Sequence, residues 1–91
     1  MLAPMATTSD SPTPRMIFAR NLRRARRLQE MSQEALGLAA GLSRTYVSEV
    51  ERGARNVSID NMGALAKALG VPLKHLVDAD MFNAVEILPK E

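Results

Sequence analysis

A serine, a run of eight to eleven residues, then a glycine: this arrangement occurs three times between residues 32 and 70 and constrains the fold more than any other feature. Ser32 precedes Gln33 to Ala40 and Gly41. Ser43 precedes Arg44 to Arg52 and Gly53, and Ser58 precedes a segment that ends before Gly70. A serine hydroxyl accepts a hydrogen bond from one of the unpaired amides in the first turn of a helix. Glycine takes the positive φ at which many helices end. The pattern therefore predicts three short helices joined by tight turns. Apolar residues recur within them at helical spacing: Leu36 and Ala40, then Val47 and Val50, then Ile59, Met62, Leu65, Ala66 and Leu69. Asp60 falls in the first turn of the last segment, where a negative charge suits the helix dipole.

Two further helices flank these three. Pro14 can open one, because the first helical position needs no amide hydrogen. Phe18, Leu22 and Ala25 then recur on one face, with Arg15, Arg20, Arg23, Arg24 and Arg27 largely around the others. Pro72 starts a short last helix expected to run to about Asp78, with Leu73, Leu76 and Val77 apolar. No strand with convincing alternation precedes residue 81. The aromatic residues are Phe18, Tyr46 and Phe82, so the core must be aliphatic, which suits helix-on-helix packing. The expected fold is all-α, a compact five-helix domain over residues 14–80. A disordered leader over 1–13 and a C-terminal tail over 81–91 are expected on either side of it.

Composition excludes several function classes. With no cysteine there is no disulfide, thiolate metal site or cysteine nucleophile. His75 is the single histidine, which argues against a metal site. Asp78 and Asp80 read as a solvated helix end. No Ser–His–Asp set, paired carboxylates or phosphate loop is present, so neither catalysis nor a cofactor nor a small-molecule ligand is expected. No apolar run approaches the ~20 residues that span a bilayer. The N-terminus lacks a basic region followed by an apolar stretch, so it does not read as a signal peptide. A cytoplasmic protein with no membrane partner is expected. Net charge is +2, divided unevenly. Residues 1–57 hold nine Arg and five acids, and residues 58–91 hold three Lys and five acids. The basic half suits a polyanion.

Two serine-capped helices joined around a glycine are the signature of a helix-turn-helix, whose second helix is placed in the DNA major groove. The stretch SQEALGLAAGLSRTYVSEVERG, together with the later ALAKALGV, resembles the Cro and phage-repressor type of helix-turn-helix, the XRE family. That family includes the controller proteins of restriction–modification systems. The resemblance runs from about Phe18 to Val77, and it implies a lambda-repressor-like domain that binds double-stranded DNA as a homodimer on a two-fold operator. It assigns Gln33 to a DNA phosphate and to bracing the recognition helix, and Arg44, Thr45, Ser48 and Glu49 to base reading. It also implies that Arg26 and Glu51 form a largely buried structural ion pair.

The chemistry of these residue types agrees. Arginine forks onto O6 and N7 of guanine, and threonine offers a hydroxyl and a methyl group for thymine. Glu49 would repel phosphate, so it belongs either on a cytosine amino group or beside a nearby arginine. Ser43, Arg52, Arg55 and Asn56 are placed for phosphates, which fix register without reading sequence. Tyr46 is expected to pack in part, with its hydroxyl at a phosphate, or to stack on a base. Two positions depart from the family pattern: Gly37 stands where alanine is usual, and Val57 where proline often stands. A mid-helix glycine costs about 1 kcal/mol against alanine, but it permits the close approach that crossing helices require.

Met81, Phe82, Val85, Ile87 and Leu88 crowd the C-terminal stretch with large apolar residues. Either this stretch folds over its own core or it meets the same stretch of a second subunit. The dimer is the favoured expectation, in line with the resemblance, with Leu76, Met81, Phe82, Val85 and Ile87 at its interface. The function expected from the whole chain is a stand-alone transcription regulator, of restriction–modification controller type. The alternative is an antitoxin that binds DNA through this domain and covers a toxin with its tail.

Overall fold

The serines and glycines act as their spacing predicts. In a computed structural model that describes residues 11–82, Oγ of Ser32, Ser43 and Ser58 accepts from the amides of Ala35, Tyr46 and Asn61 at 2.9, 3.0 and 3.1 Å. Gly41 and Gly70 end their helices in the left-handed region, at φ 76° and 71°. Five helices result: α1 Pro14–Leu28, α2 Gln33–Ala40, α3 Arg44–Glu51, α4 Ile59–Leu69 and α5 Leu73–Leu76. Thr13 caps α1 through its hydroxyl, and Pro14 takes the first helical position. Among the described residues no helix is long and apolar enough to cross a membrane. Most of the expected leader and tail, including Val85, Ile87 and Leu88, lies outside the described residues.

α2 packs against α3 and α4, while α1 lies across α3, α4 and α5. The apolar faces meet in one core of Phe18, Leu22 and Ala25 from α1, Leu36 from α2, Val47 and Val50 from α3, Leu65, Ala66 and Leu69 from α4, and Leu76 from α5. Leu22, Leu36, Val47, Leu65 and Leu76 have no exposed surface. Burying side chains of this size contributes roughly 1.5–3 kcal/mol each, so the core, not intrinsic propensity, holds helices as short as four residues.

Gly37 decides how close α2 comes to the turn before α3. A β-carbon there would stand 2.6 Å from the carbonyl oxygen of Leu42 and 3.3 Å from that of Ser43. Both are backbone atoms that cannot swing aside, so any larger residue must push the turn and the start of α3 outward.

Three expectations are corrected. Ile59 does not join the α4 core stripe. It is the first residue of the helix and remains 64% exposed, so the buried stripe begins with the partly covered Met62. α5 is shorter than expected: Pro72 caps it from outside and Val77 ends it. Leu76 is fully buried within its own chain, so its side chain has no surface to offer a second subunit.

The early end of α5 has a cause on α1. Asn21, 3% exposed on the core face of α1, donates through Nδ2 to the carbonyls of His75, Leu76 and Asp78 at 3.3, 3.1 and 2.8 Å. It gathers the carbonyls that the end of a helix leaves unpaired and pins α5 to α1. Gln29 does the same for α4, donating to the carbonyl of Leu69 at 2.6 Å. Asn21→Ala removes the donor to the buried Leu76 carbonyl along with two partly buried bonds and is expected to lower stability by about 1–3 kcal/mol. Urea unfolding of the two proteins measures this, and equal midpoints would show that α5 needs no such anchor.

Candidate nucleic-acid interface

α3 is amphipathic over only eight residues. Val47 and Val50 point into the core, which turns Arg44, Thr45, Ser48 and Glu49 outward, because positions i, i+1, i+4 and i+5 share a face at 3.6 residues per turn. Arg44 and Thr45 form the first turn, directly after the Ser43 cap, and both are exposed. Neither side chain hydrogen-bonds to another described residue. Ser48 and Glu49 are half-buried and engaged: Ser48 Oγ accepts from Arg52 Nη1 at 2.9 Å, and Glu49 Oε1 from Arg55 Nε at 2.8 Å. Of the two places open to Glu49 from its chemistry, the free protein adopts the arginine.

The base of the helix is clamped to α1. Arg26 Nε and Nη2 donate to Oε2 and Oε1 of Glu51 at 2.7 and 2.9 Å, a two-pronged ion pair. Nη1 of the same guanidinium donates to the carbonyl of Met31 at 2.7 Å. Gln33, the first residue of α2, adds a third bond by donating to Glu51 Oε1 at 3.0 Å. The Arg26 and Glu51 side chains are 11% and 2% exposed. Glu51 closes the last turn of α3, where the helix dipole disfavours a carboxylate, and the guanidinium compensates for this. The hydrogen bond to Glu51, and then its charge, hold the Arg26 guanidinium above its ordinary pKa, outweighing the opposing effect of burial. Gln33 thus braces the recognition helix through Glu51, tying α2 to the α1–α3 clamp.

A second cluster joins α3 to the loop that follows it and to α4. The Arg55 guanidinium lies over the Tyr46 ring, 4.8 Å from its centre. The Tyr46 hydroxyl accepts from Asn61 Nδ2 at 3.0 Å. Ser43, Arg52, Arg55 and Asn56 are exposed, Ser43 with its hydroxyl already committed to the α3 cap. Asn21, Gln29 and Asn61 are absent from the expectations drawn from sequence. Asn21 did leave a signal, an amide in the middle of an apolar stripe. Gln29 and Asn61 left none, because their partners are 40 and 15 residues away.

A short outward helix with an exposed arginine and threonine at its tip, locked from behind on two others, is the geometry of a helix-turn-helix. A helix-turn-helix family model matches residues 22–76, which is more than half of the chain. The chain belongs to the helix-turn-helix family. It is 48% identical over 65 residues to the control protein C.BamHI of Bacillus amyloliquefaciens, covering 70% of this chain and 80% of that protein. Among solved structures it is similar to the restriction-modification controller protein C.AhdI from Aeromonas hydrophila. Identity there is 44% and the TM-score 0.67, over 68% of this chain and 94% of that one. The hypothetical transcription factor NHTF from Neisseria aligns with a TM-score of 0.73 at 35% identity, covering 85% and 91% of the two chains. The resemblance drawn from SQEALGLAAGLSRTYVSEVERG and the all-α expectation are both borne out.

Proposed function

We propose that this helix-turn-helix chain is a sequence-specific regulator of transcription, a restriction–modification controller that binds double-stranded DNA in the cytoplasm as a homodimer. It acts by binding rather than by catalysis. The observation that carries this reading is the presentation of Arg44 and Thr45. Both stand exposed at the N-terminal tip of α3, unengaged by other described residues, where helix-turn-helix proteins meet base edges. The controller role is supported by the likeness to the control protein C.BamHI and to the controller C.AhdI.

In this reading α3, roughly 12 Å long at 1.5 Å per residue, enters the major groove. Arg44 takes a guanine and Thr45 a thymine methyl, while Gln33, Ser43, Tyr46, Arg52 and Asn56 lie along the flanking phosphates. A second copy pairs through the α5 end of the domain, opposite in charge balance to the arginine-rich half. A shallow hollow of about 170 Å³ there is lined by Ala25, Leu28, Met81 and Phe82 among others, and Leu28 is 60% exposed.

Selection of bound sites from random duplex DNA tests the reading. A symmetric site is expected, with half-sites about one helical turn apart. Arg44→Ala is expected to relax the selected sequence at one position of each half-site and to weaken binding there by about 1–3 kcal/mol per contact. An unchanged selected sequence would reassign the reading face, and no enrichment at all would remove the DNA-binding reading.

A further inference from the structure

Resting on the DNA-binding reading above, we propose that Glu49 is a specificity-determining residue that acts through Arg55, keeping this arginine from serving as an indiscriminate phosphate contact. Four observations meet at this pair. Glu49 lies on the outward face of α3, the one acidic side chain among the expected base readers. Its carboxylate holds Arg55 by Nε at 2.8 Å. The same guanidinium rests on the Tyr46 ring at 4.8 Å, and that ring is fixed through its hydroxyl by Asn61 at 3.0 Å. Asn61 in turn donates its own amide to the Ser58 cap of α4 at 3.1 Å. Arg55 is thus held on two sides by groups that are themselves anchored to α3 and α4.

Folding does not account for the pair. The side chains are 49% and 31% exposed, and ion pairs so open to water contribute little to stability. The pair spans a loop, six residues apart, so it is not a by-product of helical spacing either. Its consequence lies in charge. An unpaired arginine at the end of a recognition helix neutralises a phosphate of any sequence, and each phosphate so neutralised releases counterions and raises affinity for all DNA. With the Glu49 carboxylate on Nε, the local charge sums to zero and that general gain is withheld. The guanidinium has five N–H donors in a fixed fork, and the bond to Glu49 uses only one. Held in place by Glu49 and Tyr46, the rest of the fork loses little freedom when it meets matching groups, which happens only where the DNA offers them at the right position. Glu49 is a positioning residue here, and its discrimination comes from the penalty placed on DNA that does not match.

The test measures binding to a duplex selected from random DNA and to an unrelated duplex of equal length, over a range of salt. It uses the parent protein, E49Q, R55A and the double variant. The glutamine keeps a hydrogen-bond acceptor for Arg55 and removes only the charge. E49Q is expected to bind the unrelated duplex about 3- to 10-fold more tightly, with a salt slope steeper by about one per subunit. Its preference for the selected duplex should fall by a similar factor. In the R55A background the same substitution should leave the salt slope unchanged. The proposal is overturned if E49Q leaves slope and preference as in the parent. It is equally overturned if the change is the same without Arg55, since Glu49 would then act on DNA directly. A parent protein that binds neither duplex would instead remove the DNA-binding reading itself.

Discussion

Replacing Glu51 by alanine is expected to destabilise the domain by about 3–5 kcal/mol, a large part of what holds a domain of this size together. The carboxylate accepts two bonds from Arg26 and one from Gln33. Its loss leaves a guanidinium only 11% exposed without its counter-ion. The variant should therefore lose α3 packing and DNA binding together, instead of changing sequence preference. Chemical unfolding followed by circular dichroism checks this, and a Glu51→Ala protein that melts with the parent would show the pair to be dispensable. Replacing both partners by apolar residues, Arg26→Met with Glu51→Leu, is expected to recover much of the loss, because the desolvation of both charges disappears with them. The pair adds no pH dependence through Arg26 near neutrality. Its pKa is raised in the folded state, so its contribution is complete below the unfolded value and is lost only as pH rises through the folded one, far into the alkaline range.

The second large effect concerns pairing of two chains. Sedimentation at tens of micromolar should give a dimer for the parent protein and a monomer for Phe82→Asp. Phe82 packs only partly against the core, so a carboxylate there faces the proposed partner more than the chain's own interior. A monomer engages one half-site at a time, and the loss of the second, effectively intramolecular contact is expected to weaken operator binding by about 10²- to 10⁴-fold. Thermal melting of the variant separates this from a folding defect. A parent protein that sediments as a monomer, with the variant identical to it, would place the apolar residues at 81–88 in some other role.

The helix starts, and the ends of α2 and α4, were legible in the residues, because capping is local; the end of α5 was not. Ser32, Ser43 and Ser58 each reach an amide three residues on, and Gly41 and Gly70 end their helices by backbone conformation alone. The outward face of α3 was legible for the same kind of reason, since fixing Val47 and Val50 inward leaves one outward set on a short helix. The Arg26–Glu51 pair was available only through resemblance to a family, as nothing local links residues 25 apart.

What the sequence determined by itself is therefore the set of helices, their apolar faces and the helix-turn-helix they compose. These follow from interactions within about four residues along the chain. The tertiary structure decided the rest: that Ile59 stays in solvent, that Leu76 belongs wholly to its own core, and that Asn21 ends α5 from another helix. It also decided which charge Glu49 meets. Each of these depends on which surfaces come together when the helices pack, and on which polar groups water can no longer reach once they have.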